Sequence, residues 1–209
     1  MICFPNAKIN LGLNIIEKRE DGYHSLETVM IPIPIYDVLE FREAKTFDLE
    51  VFGKGEFGSN NNNTIYKVWL KLKQEFNIPS FNIKLLKNIP AQAGLGGGSA
   101  DASFFLKEVN DNYNLGISIS EMERLSSEIG SDCPFFIRNK PAFAESKGEI
   151  LSEISVPLLN KHITIIKPDF GISTKQAFRQ LRLKNPQTSI NKLITSPISK
   201  WKSTIKNDF

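Results

Sequence analysis

The sequence predicts an α+β protein organised around a glycine-rich loop. Three observations lead to this fold class: alternating apolar and polar residues, typical of strands, occupy much of residues 1–58; the same alternation over residues 81–86 leads directly into the loop; and two amphipathic helical patterns follow it. The 209 residues suffice for one large or two small domains. Because the pattern resets near residue 155, we predict one domain over residues 1–155 and a second over residues 156–209.

Residues 1–16 predict one long strand or a pair of strands. Lys8, Asn10 and Asn14 fall on one face of this strand, and the opposite face is apolar. A solvent-facing edge would explain the polar face. A lysine beside an amide donor is, however, also what a polyphosphate pocket requires.

A turn at Asp21-Gly22 ends this first region. Tyr23 and His24 follow it, and His24 is one of two histidines in the chain. On sequence alone, packing for the tyrosine and solvation for the histidine are more common than ligand recognition. Further along, Asn63 is predicted to cap a helix whose apolar stripe consists of Ile65, Val68, Trp69, Leu72 and Phe76.

The glycine-rich loop, residues 90–102, holds four of the thirteen glycines within five positions. Glycines let several backbone N–H groups approach one point, and the start of the following helix favours an anion, so we predict a phosphate site. A Walker A loop is excluded because Gly98 is followed by Ser99-Ala100 instead of a lysine. A Rossmann fingerprint is excluded because Ser99 stands where its third glycine is required.

Asp132 is the candidate acid of the second half of the first domain. A helix with the capping box Ser120-x-x-Glu123 is predicted to stop at Gly130, and the apolar residues 133–137 are predicted to form a strand. An aspartate between two such elements is usually an N-cap or turn former. Placed near a lysine and a phosphate loop, it would instead accept a proton from a hydroxyl group.

Composition limits the remaining possibilities. No apolar run approaches the length of a membrane helix, and the two cysteines lack the spacing of metal ligands, so we expect no membrane span, no metal site and a cytoplasmic location. The net charge is +3, but residues 161–209 carry eight Lys and two Arg against two Asp. Such a basic segment is more often a solvated face than a nucleic-acid site, so no nucleic-acid partner is expected.

Lys8, the glycine-rich loop and Asp132 together resemble the GHMP family of small-molecule kinases. The first family motif is similar to Pro5-x-x-Lys8-x-Asn10-Leu11, and the ATP-phosphate motif is similar to residues 90–102. Three further segments resemble motifs of one member of the family, a kinase whose alcohol substrate carries a cytidine diphosphate group. These segments are Asp21-Gly22-Tyr23-His24, Gly130-x-Asp132-x-Pro134-Phe135-Phe136 and residues 142–151.

The resemblance implies the GHMP kinase fold, with an N-terminal domain like the second domain of ribosomal protein S5 and an incomplete ferredoxin-like C-terminal domain. It also implies an activity, the transfer of the γ-phosphoryl group of ATP to a hydroxyl of a cytidyl diphosphate sugar alcohol. Asp132 would be the catalytic base, and Lys8 the cation that keeps it ionised and steadies the developing charge. Mg²⁺ would accompany ATP.

The binding residues follow from the same resemblance. The substrate would contact Asn10, Tyr23 and His24, with Phe178 as a second stacking ring. ATP would contact Asn63, Pro90, Ala91, Gln92, Ala93, Gly94, Leu95, Gly96, Gly97, Gly98, Ser99 and Ala100.

One departure from the family pattern keeps two alternatives open. The family carries a third glycine-rich motif near its C-terminus, and this chain ends at Asp208-Phe209 without it, so we expect a C-terminal truncation. The alternatives are another GHMP kinase that acts on a different alcohol, and a non-catalytic fragment that binds a nucleotide or, through its basic segment, a nucleic acid. The oligomeric state is not predicted.

Overall fold

A computed structural model describes residues 1–53, 62–158, 160–168 and 188–209 of the chain. These residues combine strands and helices, which confirms the predicted α+β class. The strands are β1 (Ile2–Cys3), β2 (Asn6–Lys18), β3 (His24–Tyr36), β4 (Val38–Ala44), β5 (Asp48–Gly53), β6 (Ser80–Lys87), β7 (Ala142–Ser146) and β8 (Ile150–Glu153). The helices are α1 (Thr64–Glu75), α2 (Gly97–Asn112), α3 (Ile119–Ser127), α4 (Cys133–Arg138), α5 (Ile190–Leu193) and α6 (Ile198–Thr204).

The residues fall into two compact units. The first unit contains Met1–Lys8, Ile33–Ala91 and Leu95–Asn139, and the second contains Ile9–Pro32, Gln92–Gly94 and Lys140–Phe209. Each unit is therefore assembled from separate stretches of the chain. The predicted boundary near residue 155 stays a prediction.

The first unit contains a four-stranded sheet in the order β1-β4-β6-β5. Strand β6 pairs antiparallel with β4 and parallel with β5, so Ile83 lies opposite Phe41 on one side and Leu49 on the other. Alternate residues of these strands are buried, as the pleat requires of a sheet with one face on a core.

Helix α2 supplies the helical side of this core. Its residues Ala102, Phe105, Leu106 and Val109 are buried at helical spacing. The rings of Phe41, Phe81 and Phe105 meet edge to face with centroids 5.0–5.6 Å apart, an arrangement that the ring quadrupole favours. The core thereby holds α2, whose first residues belong to the glycine-rich loop.

Two predicted elements of the first unit are wrong. Helix α3 is capped by Ser118, whose Oγ accepts a hydrogen bond from Glu121 N at 3.2 Å, two residues before the predicted cap at Ser120. Residues 133–137 belong to helix α4 and not to a strand. A short apolar run does not distinguish a strand from a buried helix, and a proline in the first turn suits a helix start.

The second unit contains a sheet in the order β2-β3-β7-β8. In its antiparallel β3–β7 pair, Val29 lies opposite Phe143, and both side chains enter a small core. Glu27 accepts hydrogen bonds from Ser189 Oγ at 2.6 Å and Ile190 N at 2.9 Å, which fixes the start of α5. Residues 162–166 have no regular structure, although their apolar and β-branched composition is typical of a strand.

Within the described ranges, no helix has both the length and the apolar character needed to cross a bilayer.

Candidate active site

The structure pairs the predicted lysine with the predicted acid. Lys8 Nζ lies 3.1 Å from Asp132 Oδ2. The lysine side chain is 5% exposed, whereas the aspartate side chain is 30% exposed. The cation is thus held inside the first unit while the carboxylate still reaches the surface.

Asp132 takes the N-cap position of α4 without capping it. Its side chain makes no capping hydrogen bond, and the turn before the helix is closed by the backbone instead, with Cys133 N donating to Gly130 O at 3.0 Å. The expected structural role of an aspartate at this position is therefore left unused. Its carboxylate is directed to Lys8.

The glycine-rich loop contacts Lys8 directly. Lys8 N donates to Leu95 O at 2.9 Å. Gly96 has a φ of +72°, and a Cβ there would lie 2.9 Å from the Phe136 ring and 3.1 Å from Lys8 Cγ. A glycine is required because any side chain would be both strained and too close to its neighbours.

Helix α1 is attached to the start of α2. Thr64 Oγ1 donates to Gly98 O at 2.7 Å. The residue before it, Asn63, accepts a hydrogen bond from Ile65 N at 2.9 Å through its side chain, which confirms the predicted N-cap. The predicted contact of Asn63 with ATP stays a prediction.

Helices α2 and α4 are joined by buried polar contacts. Ser103 Oγ donates to Cys133 O at 2.8 Å. Burial raises the pKa of the Cys133 thiol to about 11, which makes it a poor nucleophile near neutral pH although it follows Asp132 in the chain.

The sequence interpretation missed a pair of amides that joins the start of β2 to the end of α4. Asn6 Nδ2 donates to Asn139 Oδ1 at 3.1 Å, and Asn139 Nδ2 donates back to Asn6 Oδ1 at 2.6 Å. Asn139 closes α4 in a left-handed conformation with a φ of +52°. An asparagine after a short apolar run is the available sequence signal for such a cap.

It also missed a cluster of charged groups at the two ends of the glycine-rich loop. Lys87, the last residue of β6, contacts the carboxylates of Asp37 and Asp101. Burial raises the pKa of Asp101 to about 7, against the opposing charge of Lys87. An aspartate inside an otherwise small and apolar helix start was the signal for this cluster.

Three of the predicted substrate residues, Asn10, Tyr23 and His24, lie in the second unit. Asn10 Nδ2 donates to Thr28 Oγ1 at 3.0 Å. Tyr23 is 60% exposed, with Lys147 Nζ 5.0 Å from its ring centroid, and His24 begins β3. Phe178 lies outside the described residues. The roles of all four residues stay predictions.

Comparison with known proteins defines the class of this fold and site. The family model described as the GHMP kinases N terminal domain matches residues 63–140, which contain α1, β6, the glycine-rich loop and Asp132. A crystal structure of phosphomevalonate kinase from Streptococcus pneumoniae covers 98% of this chain and 73% of its own, with a TM-score of 0.63 at 13% identity. The fold is therefore that of the GHMP kinases.

Relatives with higher sequence identity identify the family within the GHMP kinases to which the chain belongs. The 4-diphosphocytidyl-2-C-methyl-D-erythritol kinases of Bacteroides fragilis and Bacteroides thetaiotaomicron are each 46% identical over 213 residues, covering 100% of this chain and 78% of the relative. A crystal structure of 4-(cytidine 5'-diphospho)-2C-methyl-D-erythritol kinase superposes with a TM-score of 0.71 at 30% identity, over 87% of this chain and 65% of the other. The chain belongs to the 4-diphosphocytidyl-2-C-methyl-D-erythritol kinase family.

Proposed function

We propose that the chain transfers the γ-phosphoryl group of ATP to the 2-hydroxyl of 4-diphosphocytidyl-2-C-methyl-D-erythritol, a step in non-mevalonate isoprenoid precursor synthesis. The observation that carries the proposal is the Lys8–Asp132 pair, whose nitrogen and oxygen are 3.1 Å apart beside the glycine-rich loop. The names of the full-length matches at 46% identity supply the substrate.

Asp132 serves as the base in this reaction. Its carboxylate takes the proton from the substrate hydroxyl while the hydroxyl oxygen forms a bond to the γ-phosphorus and the bond to the β-phosphate oxygen breaks. A base needs access to the substrate and a carboxylate that is not occupied in capping a helix. Asp132 meets both needs, being 30% exposed on its side chain and unused as a helix cap.

Lys8 orients this base and contributes positive charge. Its ammonium is almost fully buried, so little water screens it from the carboxylate or from the charge that develops during transfer. Because its backbone N–H is bonded to Leu95 O, the same residue also ties the base to the phosphate loop.

The loop and α2 hold the triphosphate of ATP in this proposal. Gly97 and Gly98 open α2, so backbone N–H groups that have no acceptor within the helix and the positive end of the helix dipole lie at the loop. Mg²⁺ arrives as part of the MgATP substrate. Among the residues that the structure describes, no group of three His, Cys, Asp or Glu side chains is placed to hold a resident metal ion.

The alcohol would be recognised by the residues already predicted for it. We assign Tyr23, His24 and Phe178 to the cytosine ring and Asn10 to a polar group of the substrate, as aromatic faces and amides suit a nucleotide. Of the two predicted domains, residues 1–155 would bind ATP and residues 156–209 would form part of the substrate-binding side.

The test is a substrate panel with ADP as the readout. The chain is incubated with MgATP and either the diphosphocytidyl alcohol or non-cytidyl alcohols such as mevalonate and homoserine. We expect ADP release with the diphosphocytidyl compound alone. Turnover of another alcohol in its place, or binding of ATP without turnover of any alcohol, would contradict the proposal.

A further inference from the structure

We propose that Lys87, held between Asp37 and Asp101, is a positioning residue that fixes the two ends of the glycine-rich loop and so presents its amides to ATP. The inference rests on the proposed function in one respect, since it takes the triphosphate to be the ligand of the loop.

One side-chain bridge joins the start of the loop to its end. Lys87 is the last residue of β6, and Asp101 is the fifth residue of α2. Lys87 Nζ lies 2.6 Å from Asp101 Oδ2. The bridge thus closes the chain segment that contains the loop, in the way that a crosslink removes freedom from a flexible segment.

Asp37 attaches this bridge to the rest of the sheet. It lies between β3 and β4 and is fully buried. Its Oδ2 contacts Lys87 Nζ, and its Oδ1 accepts hydrogen bonds from Asn88 N at 2.6 Å and Ile89 N at 2.8 Å. The first two residues after β6 are therefore fixed by one carboxylate.

The packing around Gly97 shows how close the bridge lies to the loop. A Cβ at Gly97, the first residue of α2, would lie 3.0 Å from Ile89 Cγ2 and 3.1 Å from Lys87 Nζ. The ammonium is thus in near contact with the backbone that opens the helix. A shift of Lys87 would move the start of α2 because the interior is close-packed.

Because its three charged side chains are enclosed, this cluster holds them in a single geometry. The side chains of Lys87, Asp37 and Asp101 are 10%, 0% and 3% exposed. Asp101 Oδ1 has no hydrogen-bond partner within the described part of the chain, so Lys87 supplies the hydrogen bond of that carboxylate. Buried charges that lack alternatives hold one geometry.

The experiment removes the bridge without leaving an unbalanced charge. Asp101→Ala leaves Lys87 paired one-to-one with Asp37, and Asp101→Asn keeps an oxygen that accepts from Lys87. We expect the alanine variant to raise the KM for ATP about 10-fold, as outer-shell substitutions commonly do, with kcat and the KM for the alcohol unchanged. We expect the asparagine variant to restore the wild-type KM.

Asn110→Ala provides the matched control. Asn110 is also buried on α2, at the opposite end of the helix, and its side chain accepts from Ile117 N at 2.9 Å. The control lowers stability without touching the loop. Equal KM values for ATP in the wild type and Asp101→Ala, equal shifts in Asp101→Ala and Asn110→Ala, or failure of Asp101→Asn to restore the KM would each overturn the proposal.

Two further measurements keep the result decisive. Hydrogen exchange on the wild-type chain without nucleotide should find the Asn88 and Ile89 amides protected; rapid exchange would mean that the loop is not held in advance. Titration with a non-hydrolysable ATP analogue should give wild-type affinity in Asp101→Asn and weaker affinity in Asp101→Ala. If the affinities follow this order but the chain phosphorylates no alcohol, the positioning role of Lys87 is supported and only the proposed function is contradicted.

Discussion

Two clusters of ammonium and carboxylate groups in the first unit use the same chemistry with different exposure. In the Lys8–Asp132 pair the carboxylate side chain is 30% exposed and makes no capping bond. In the Asp37–Lys87–Asp101 cluster the two carboxylates are 0% and 3% exposed, and Asp37 also accepts two backbone N–H groups.

This difference in exposure separates a carboxylate that reacts with substrate, Asp132, from two carboxylates that hold the glycine-rich loop in place, Asp37 and Asp101. A carboxylate that must take a proton from a substrate needs solvent-side access, and the helix it precedes is closed by backbone bonds instead. A carboxylate that must fix a loop needs to be enclosed, because water would otherwise replace its partners. Substitutions in the first cluster should therefore reduce turnover, and those in the second should reduce stability or ATP affinity.

The largest expected effect is that of Asp132→Asn. The amide cannot accept the substrate proton, so kcat should fall by about 10²–10⁴-fold, the range that general bases commonly supply. The Lys8 side chain is only 5% exposed and loses the charge of this carboxylate, so the free energy of unfolding should also fall. Steady-state ADP release and a denaturant titration measure the two quantities.

Asp48→Asn is the control for this prediction, as it removes an exposed carboxylate from β5 of the same unit. It should leave kcat unchanged. Near-full activity in Asp132→Asn would remove Asp132 from the mechanism.

Lys87→Met probes the enclosed cluster and should act on stability. It leaves two buried carboxylates without a cation, a change that typically costs about 3–5 kcal/mol of unfolding free energy. Lys71→Met is the control: Lys71 Nζ is 2.6 Å from Glu128 Oε2, but the glutamate side chain is 49% exposed, so the loss should be below about 1 kcal/mol. Equal losses in the two variants would show that exposure does not separate these clusters.

A pair of glycine substitutions tests how closely the loop is packed on Lys8. Gly94 and Gly96 have nearly the same φ, +70° and +72°, so alanine pays the same backbone cost of about 1–2 kcal/mol at each. A Cβ at Gly94 meets nothing within 4 Å, whereas one at Gly96 overlaps Phe136 and approaches Lys8. Gly96→Ala should therefore be less stable than Gly94→Ala by about 1–3 kcal/mol, measured by thermal unfolding. Equal stabilities of the two variants would indicate that the backbone at Gly96 shifts to make room for the added methyl group.

Local pattern was sufficient to predict the loop between strand and helix and the Asn63 cap. Those features depend on neighbours in sequence, namely alternation, glycine content and a side chain that reaches a nearby N–H. The pairing of Lys8 with Asp132 came from the family resemblance, because spacing along the chain says nothing about two residues so far apart.

What the sequence interpretation missed depends on three-dimensional packing. Residues 133–137 include no polar position, so the sequence shows neither helical nor strand periodicity. A helix buried on all sides, which α4 is, could therefore not be distinguished from a buried strand. Asp37 lies between two strands, Lys87 at the end of a strand and Asp101 in a helix, and charged residues at such separate positions are usually solvated. Their common enclosure follows from the order of strands in the sheet and from the placement of α2.

The smallest expected effect, the pH dependence of stability, reports on the enclosed cluster alone. Burial raises the pKa of Asp101 from 3.8 to about 7, so between these values the folded chain binds a proton that the unfolded chain has lost. Stability from this group is therefore fully present below pH 3.8 and falls, by at most about 1.4 kcal/mol per pH unit, as pH rises through 7. The facing charges of Asp37 and Lys87 are unchanged by Asp101→Asn, which removes the titration. The difference in unfolding free energy between the wild type and Asp101→Asn should consequently slope between pH 5 and pH 7 and level off above it. A flat difference would show that Asp101 is ionised throughout, and that the enclosed cluster carries its second negative charge at all of these pH values.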